Sequence, residues 1–89
     1  MKFKVGDRVR ISSKVWWAKD CLGTISLPPE FAQNLVQEKA PWNGHTRLVK
    51  GRIGTIIFYW VWFDEPQYAS EGDGPYKGSE IEEFYLENL

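Results

Sequence analysis

Arg8, Val9, Arg10 and Ile11 read polar, apolar, polar, apolar, the two-residue period of a strand with one face in a core and the other in solvent. Phe3 and Val5 share the parity of Val9 and Ile11, and all four line one face if the Gly6-Asp7 turn causes no register slip. Ser12 to Lys14 is a loop. Val15-Trp16-Trp17 follows it, and two adjacent Trp on extended backbone point to opposite sides, so one is partly exposed. Leu22 to Leu27 carries a second strand signal and stops at Pro28-Pro29. Pro29 to Lys39 is the helix candidate: Pro29 suits the first helical position, Glu30 the N-terminal dipole, and Phe31 and Leu35 recur at helical spacing before Pro41. Residues 40–50 read as a loop around the turn dipeptide Asn43-Gly44.

The most apolar stretch is Gly51 to Gln67, GRIGTIIFYWVWFDEPQ, with turn residues at both ends. Both parities are apolar, so both faces are covered or the strand bends. Turn chemistry is missing between Thr55 and Phe63, which leaves one long strand or two strands with an unmarked break. Val61 and Phe63 face the same way and have core partners in Val9, Ile11, Ile25 and Ile81. Trp60 and Trp62 face the other way. Either the 28–50 insertion and a long 65–79 loop cover them, or they form a binding surface. Ser79 to Glu82 matches a capping box and predicts a helical turn over SEIEEF, after which Tyr85-Leu86 makes a short last strand. The sum is an all-β single domain over 1–89, a partly open barrel of about five strands with a short helical insertion and a helical turn before the last strand.

Composition adds little chemistry. A chain of 89 residues holds one modest core, and five Trp, four Tyr and five Phe give it unusual apolar mass. The net charge of −1 argues against binding driven by phosphate neutralisation. Cys21 is the sole cysteine, so no internal disulfide forms and a reducing, cytoplasmic setting is expected. The start, MKFKVGDRVRI, lacks the apolar core of a signal peptide, and no stretch reads as a membrane span. His45 lies in a polar loop with no partner named by the sequence for base catalysis. Asp64, Glu65, Glu71 and Asp73 miss the calcium-loop spacing, so no metal or other cofactor is expected. Cys21 reads as a small hydrophobe. With no catalytic motif, the expectation is a non-enzymatic module.

Three stretches resemble an SH3-like barrel: Val5-Gly6-Asp7-Arg8-Val9-Arg10, Gly51-Arg52-Ile53-Gly54-Thr55-Ile56, and Trp62-Phe63-Asp64 followed by Glu80-Ile81 and Tyr85-Leu86. Within that group the chain is similar to the electron-transport-accessory type, whose nearest echo is the C-terminal barrel of the nitrile hydratase β subunit. Gly44-His45-Thr46-Arg47 and Gly51 to Ile56 carry that echo over about half of the chain. The gap from Arg47 to Gly51 is shorter than in the family, and Lys50 stands where the family has Arg. The resemblance implies a docking or accessory subunit, with Arg47 turned toward a partner.

Two interaction surfaces follow. A protein partner is expected on Trp16, Trp17, Trp42, Arg47, Trp60, Trp62 and Tyr76, aromatics of the kind that line peptide grooves. The alternative is a nucleic-acid face built from Arg8, Arg10, Lys50 and Arg52, with aromatics interleaved.

Overall fold

The computed structural model describes residues 2–35 and 40–89. Its elements in chain order are β1 (Arg8–Ile11), β2 (Leu22–Ser26), α1 (Glu30–Leu35), β3 (Trp42–Asn43), β4 (Thr46–Lys50), β5 (Thr55–Gln67), β6 (Tyr76–Glu82), a 3₁₀ turn (Glu83–Tyr85) and β7 (Leu86–Asn88). From Thr55 onward the apolar run is therefore one unbroken strand, the first of the two alternatives that its lack of turn residues leaves open. Every ladder is antiparallel, in the order β3-β4-β5-β2-β1-β7, with β6 on the other edge of β5.

β5 changes partner along one edge. Its first half pairs with β4, from Lys50↔Thr55 to Thr46↔Tyr59. Its next residues pair with β2, from Ser26↔Trp60 to Gly23↔Phe63. Strands β1, β2, β5, β6 and β7 thus form a five-strand ring, open where the 3₁₀ turn carries the chain from β6 to β7. The β3–β4 hairpin is an annex on the first half of β5. The result is an all-β, partly open barrel of the kind the sequence predicts.

The core fills this ring with Phe3, Val9, Ile11, Ala18, Cys21, Ile25, Tyr59, Val61, Phe63, Ile81 and Leu86. Fully burying an aliphatic side chain such as Ile25 or Val61 stabilises the fold by about 1.5–3 kcal/mol. Tyr59 organises the base of the core. Its ring meets Phe3 edge-on at 5.4 Å, its hydroxyl accepts from the Lys2 and Phe3 backbone N–H groups at 3.1 and 3.2 Å, and it donates to Glu83 at 2.6 Å. His45 Nε2 lies 2.9 Å from the Phe3 carbonyl, so in the tautomer that carries its proton there it donates and clasps Phe3 from the other side. The lone histidine is a clasp for the N-terminal segment.

Four expectations are corrected. Val5 is exposed, because Gly6 takes φ +95 and Asp7 N–H bonds back to Lys4, which breaks the alternation before β1. Residues 40–50 are a hairpin, with Asn43↔Thr46 closing its turn. The 65–79 loop is shorter than its boundaries suggest, since β5 runs to Gln67 and β6 begins at Tyr76. Ser79 to Glu82 is strand: Ser79 pairs with Val61 and Ile81 with Tyr59, and burial of Ile81 outweighs the local capping signal. The helical turn starts one step later, at Glu83, and Glu82 makes no side-chain cap. Helix α1 occupies the start of the expected 29–39 segment; residues 36–39 lie outside the described residues. No helix among the described residues is long and apolar enough to cross a membrane.

Candidate functional site

The outer face of the sheet carries the side chains of β5 that the core does not take. Trp62 stands opposite Thr24 of β2 and Gly78 of β6. A Cβ at Gly78 would lie 2.6 Å from the Trp62 ring, so the missing side chain is what lets the indole lie across β6. Trp60 sits edge-on to Trp62 at 5.4 Å and to Phe31 of α1 at 5.8 Å. The insertion therefore covers Trp60, 5% exposed, and leaves Trp62, 36% exposed, beside the open ring of Phe31. Trp60 is withdrawn from the expected contact surface: its position next to α1 buries it. Phe31, 58% exposed, joins the surface; the sequence marks it only as part of the helical repeat.

A second aromatic group lies at one end of the barrel. Trp17 is half-buried, edge-on to Phe63 at 5.8 Å and to Tyr76 at 5.9 Å. Tyr76 donates to Asp73 at 2.6 Å, and that bond pushes its phenol up from the ordinary value. Trp16 is 70% exposed. Of the adjacent pair, one Trp packs and the other opens to solvent, but turn backbone sets them apart and not the strand parity expected for them.

Trp42 and Arg47 form a third group, and it faces inward. Trp42 is half-buried on β3, directly opposite Arg47 of β4. Arg47 donates Nε–H to the Ala40 carbonyl at 2.7 Å and Nη1–H to Glu80 at 3.2 Å, with its guanidinium 5.5 Å from the Phe58 ring. Its side chain is 14% exposed. Arg47 ties the insertion to β6 and leaves little for a partner, which corrects its expected outward role. The indole N–H groups of Trp42 and Trp60 are buried without a hydrogen-bond partner among the described residues.

The basic residues do not gather into one face. Arg8 forks onto both carboxylate oxygens of Asp64, at 2.5 and 2.7 Å, and also donates to Thr24 Oγ1 at 2.8 Å. Arg10, its exposed neighbour on β1, sits opposite Leu22, at the level where β5 ends. Lys50 and Arg52 are exposed at the other extreme, beside Thr55 where β5 begins. Roughly 30 Å of strand separates the two pairs at about 3.3 Å per residue.

The bond from Arg8 holds the Asp64 carboxyl below the usual carboxylate value. A depressed carboxylate adds stability above its unfolded pKa and loses it as pH falls through the folded one. Arg8→Gln is therefore expected to return Asp64 to the ordinary range in a carboxyl-carbon NMR titration. Its stability deficit against the native chain should be present at neutral pH and close on the acid side as Asp64 protonates. An Asp64 titration unmoved by the substitution would contradict the pairing.

Beyond Asp64 lies an open cleft of about 470 Å³, lined by Lys19, Asp20, Cys21, Leu22, Asp64, Glu65 and Gln67. Cys21 is buried at its base, with its thiol 3.4 Å from the Leu22 carbonyl. Burial first, then the negative charges of Asp64 and Glu65, push that thiol up, so it stays protonated and unreactive at neutral pH. Among the described residues no three His, Cys, Asp or Glu gather closely enough to hold a metal ion.

No protein-family model matches the chain, and comparisons with curated proteins and with solved structures find no significant relative.

Proposed function

We propose that the chain is a non-catalytic interaction module, an accessory subunit or docking domain that holds a protein partner through aromatics on the outside of its barrel. The observation that carries this reading is Trp62: an indole laid over Gly78, braced edge-on by buried Trp60, and open to solvent beside Phe31. A rigid, half-exposed Trp on a sheet face is the type of side chain that anchors protein interfaces, since it brings large apolar area with little rotamer entropy to lose. Trp16 and Tyr76 add exposed aromatic area in the separate group at the barrel end. The resemblance to SH3-like accessory subunits supports the same role, and the lone buried thiol fits a reducing compartment such as the cytoplasm. Nucleic-acid binding is the weaker reading, because Arg8 is engaged by Asp64 and Arg10 is far from Lys50 and Arg52.

An array of proline-rich and other extended peptides, probed with the native protein and with Trp62→Ala, tests the docking role. The expected result is a set of native ligands weakened about tenfold or more by Trp62→Ala, with circular dichroism at the assay temperature showing that the variant, although less stable, is still folded. Ligands bound equally by both proteins, or salt-sensitive retention on single-stranded nucleic acid without any peptide ligand, would overturn it.

A further inference from the structure

We infer that the chain associates with copies of itself head to tail, the tip of the β4–β5 hairpin of one copy seating in the acidic cleft of the next. The tip is shaped as a knob. Gly51 N–H bonds to the Gly54 carbonyl at 2.8 Å and closes a tight loop that holds Ile53 clear of the molecule, 103% exposed. Lys50 and Arg52 flank it, both exposed, and Leu48 on β4 is open below. From Thr46 to Phe63 the chain has no acidic residue. An apolar knob with two cationic shoulders needs an apolar hollow with an anionic rim.

The cleft has that character. Leu22 and Cys21 give it apolar surface; Arg8 neutralises Asp64, which leaves Asp20 and Glu65 as its free negative charges against the single Lys19. The ion pairs among the described residues are Arg8–Asp64 and Arg47–Glu80. Asp20 and Glu65 on the cleft side, and Lys50 and Arg52 on the tip, stand outside both pairs. Its volume of about 470 Å³ accommodates a branched aliphatic side chain with its neighbours.

Placement decides that the contact is between copies. The tip leads into the first residue of β5, while the cleft wall is formed by its last ones, Asp64, Glu65 and Gln67. Knob and hollow therefore lie at opposite ends of the molecule's longest strand, and one chain cannot seat its own tip. Unlike surfaces meeting head to tail make a heterologous interface, which continues into a ring or a filament. A contact of one loop in one cleft is small, so the association is weak and sensitive to salt.

Sedimentation equilibrium from micromolar to millimolar protein at low salt tests this on the whole chain. The native mass is expected to rise with concentration and to fall back when salt is added. Ile53→Asp spoils the knob and leaves the cleft; the double variant Asp20→Lys, Glu65→Lys spoils the cleft and leaves the knob. Each alone should weaken self-association about tenfold or more. Mixed together they should form a one-to-one dimer that grows no further, because the first supplies only a cleft and the second only a knob. Circular dichroism of each variant, matching the native chain, confirms that it is folded. Trp62→Ala should self-associate normally, so failure of the docking role and failure of this contact are distinguishable. A native chain that stays monomeric throughout, or a variant mixture that stays monomeric while the native chain associates, overturns the inference.

Discussion

Gly23→Ala is expected to destabilise the fold by about 2–3 kcal/mol, a large effect for one methyl group. The cause is the approach of β2 to β5. A Cβ at Gly23 would stand 2.5 Å from Val61 Cγ1 and 2.6 Å from the Trp62 carbonyl oxygen. Neither neighbour yields at low cost. Val61 is fully buried in the middle of the core, and the carbonyl belongs to the backbone of the strand on which the ring is built. Making room means spreading the ladder from Gly23↔Phe63 to Ser26↔Trp60 or moving Val61 into its neighbours. Urea unfolding should show a lower midpoint with unchanged slope. Gly51→Ala is the control: its nearest contact is an ordinary 3.4 Å, and the change should stay within about 0.5 kcal/mol. Equal stability of Gly23→Ala and the native chain would refute the close approach of the two strands.

Tyr59→Phe removes one oxygen from the centre of the molecule and is expected to cost about 1–3 kcal/mol. The hydroxyl is acceptor for two backbone N–H groups, at Lys2 and Phe3, and donor to Glu83. Phenylalanine fills the same space but leaves the buried Phe3 N–H without that partner. The substitution also has a pH signature. Burial, then the hydrogen bond to Glu83, raises the Tyr59 phenol above its ordinary value of 10.0, against the smaller opposing effect of the Phe3 and Lys2 N–H groups. A phenol raised on folding contributes its full stability below the unfolded pKa and loses it as pH climbs through the folded one. The stability gap between native and Tyr59→Phe should therefore be constant at neutral pH and narrow above about pH 10. Cys21, also raised on folding, titrates in both proteins and cancels from the difference. Unfolding curves at pH 7 and pH 11 (two urea series per protein) decide it; a gap that widened at high pH would refute the assignment.

The parts of this fold that are legible in the sequence are those with a buried face and a two-residue period. β1 and β2 bury alternate residues, and the Val61/Phe63 side of β5 meets Val9, Ile11, Ile25 and Ile81 in the core as their parity implies. β6 was hidden because Ile81 is its only buried residue, so no alternation marks it, and the S-x-x-E pattern points locally to helix. β4 was hidden behind the turn signal of Asn43-Gly44, although TRLVK has strand composition.

The candidate surface was legible in kind and not in membership. Trp62 lies flat on β6 because of Gly78, sixteen positions away, and Trp60 is closed because of Phe31, on an element whose docking no period reveals. Arg47 finds its partners 7 and 33 residues away, and Arg8 finds Asp64 56 residues away. Whether a charge is free depends on such distant pairings, which composition does not encode. Ile53 was visible as an apolar residue between Gly51 and Gly54, but only the hairpin geometry sets it outside the molecule.

The change of partner along β5 has a consequence for how the molecule opens. Tyr59 is the last residue to pair with β4 and Trp60 the first to pair with β2, so the two ladders share a backbone but no rung. The β3–β4 annex can unzip from Lys50 toward Thr46 while every rung of the five-strand ring remains closed. Amide protons of Val49 and Ile56, which face each other across the β4–β5 ladder, belong to this outer tier of protection, and those of Ile25 and Val61 to the inner one. The barrel is thus built as two units of unequal persistence on one continuous strand, and the tip that carries Ile53 belongs to the looser of them.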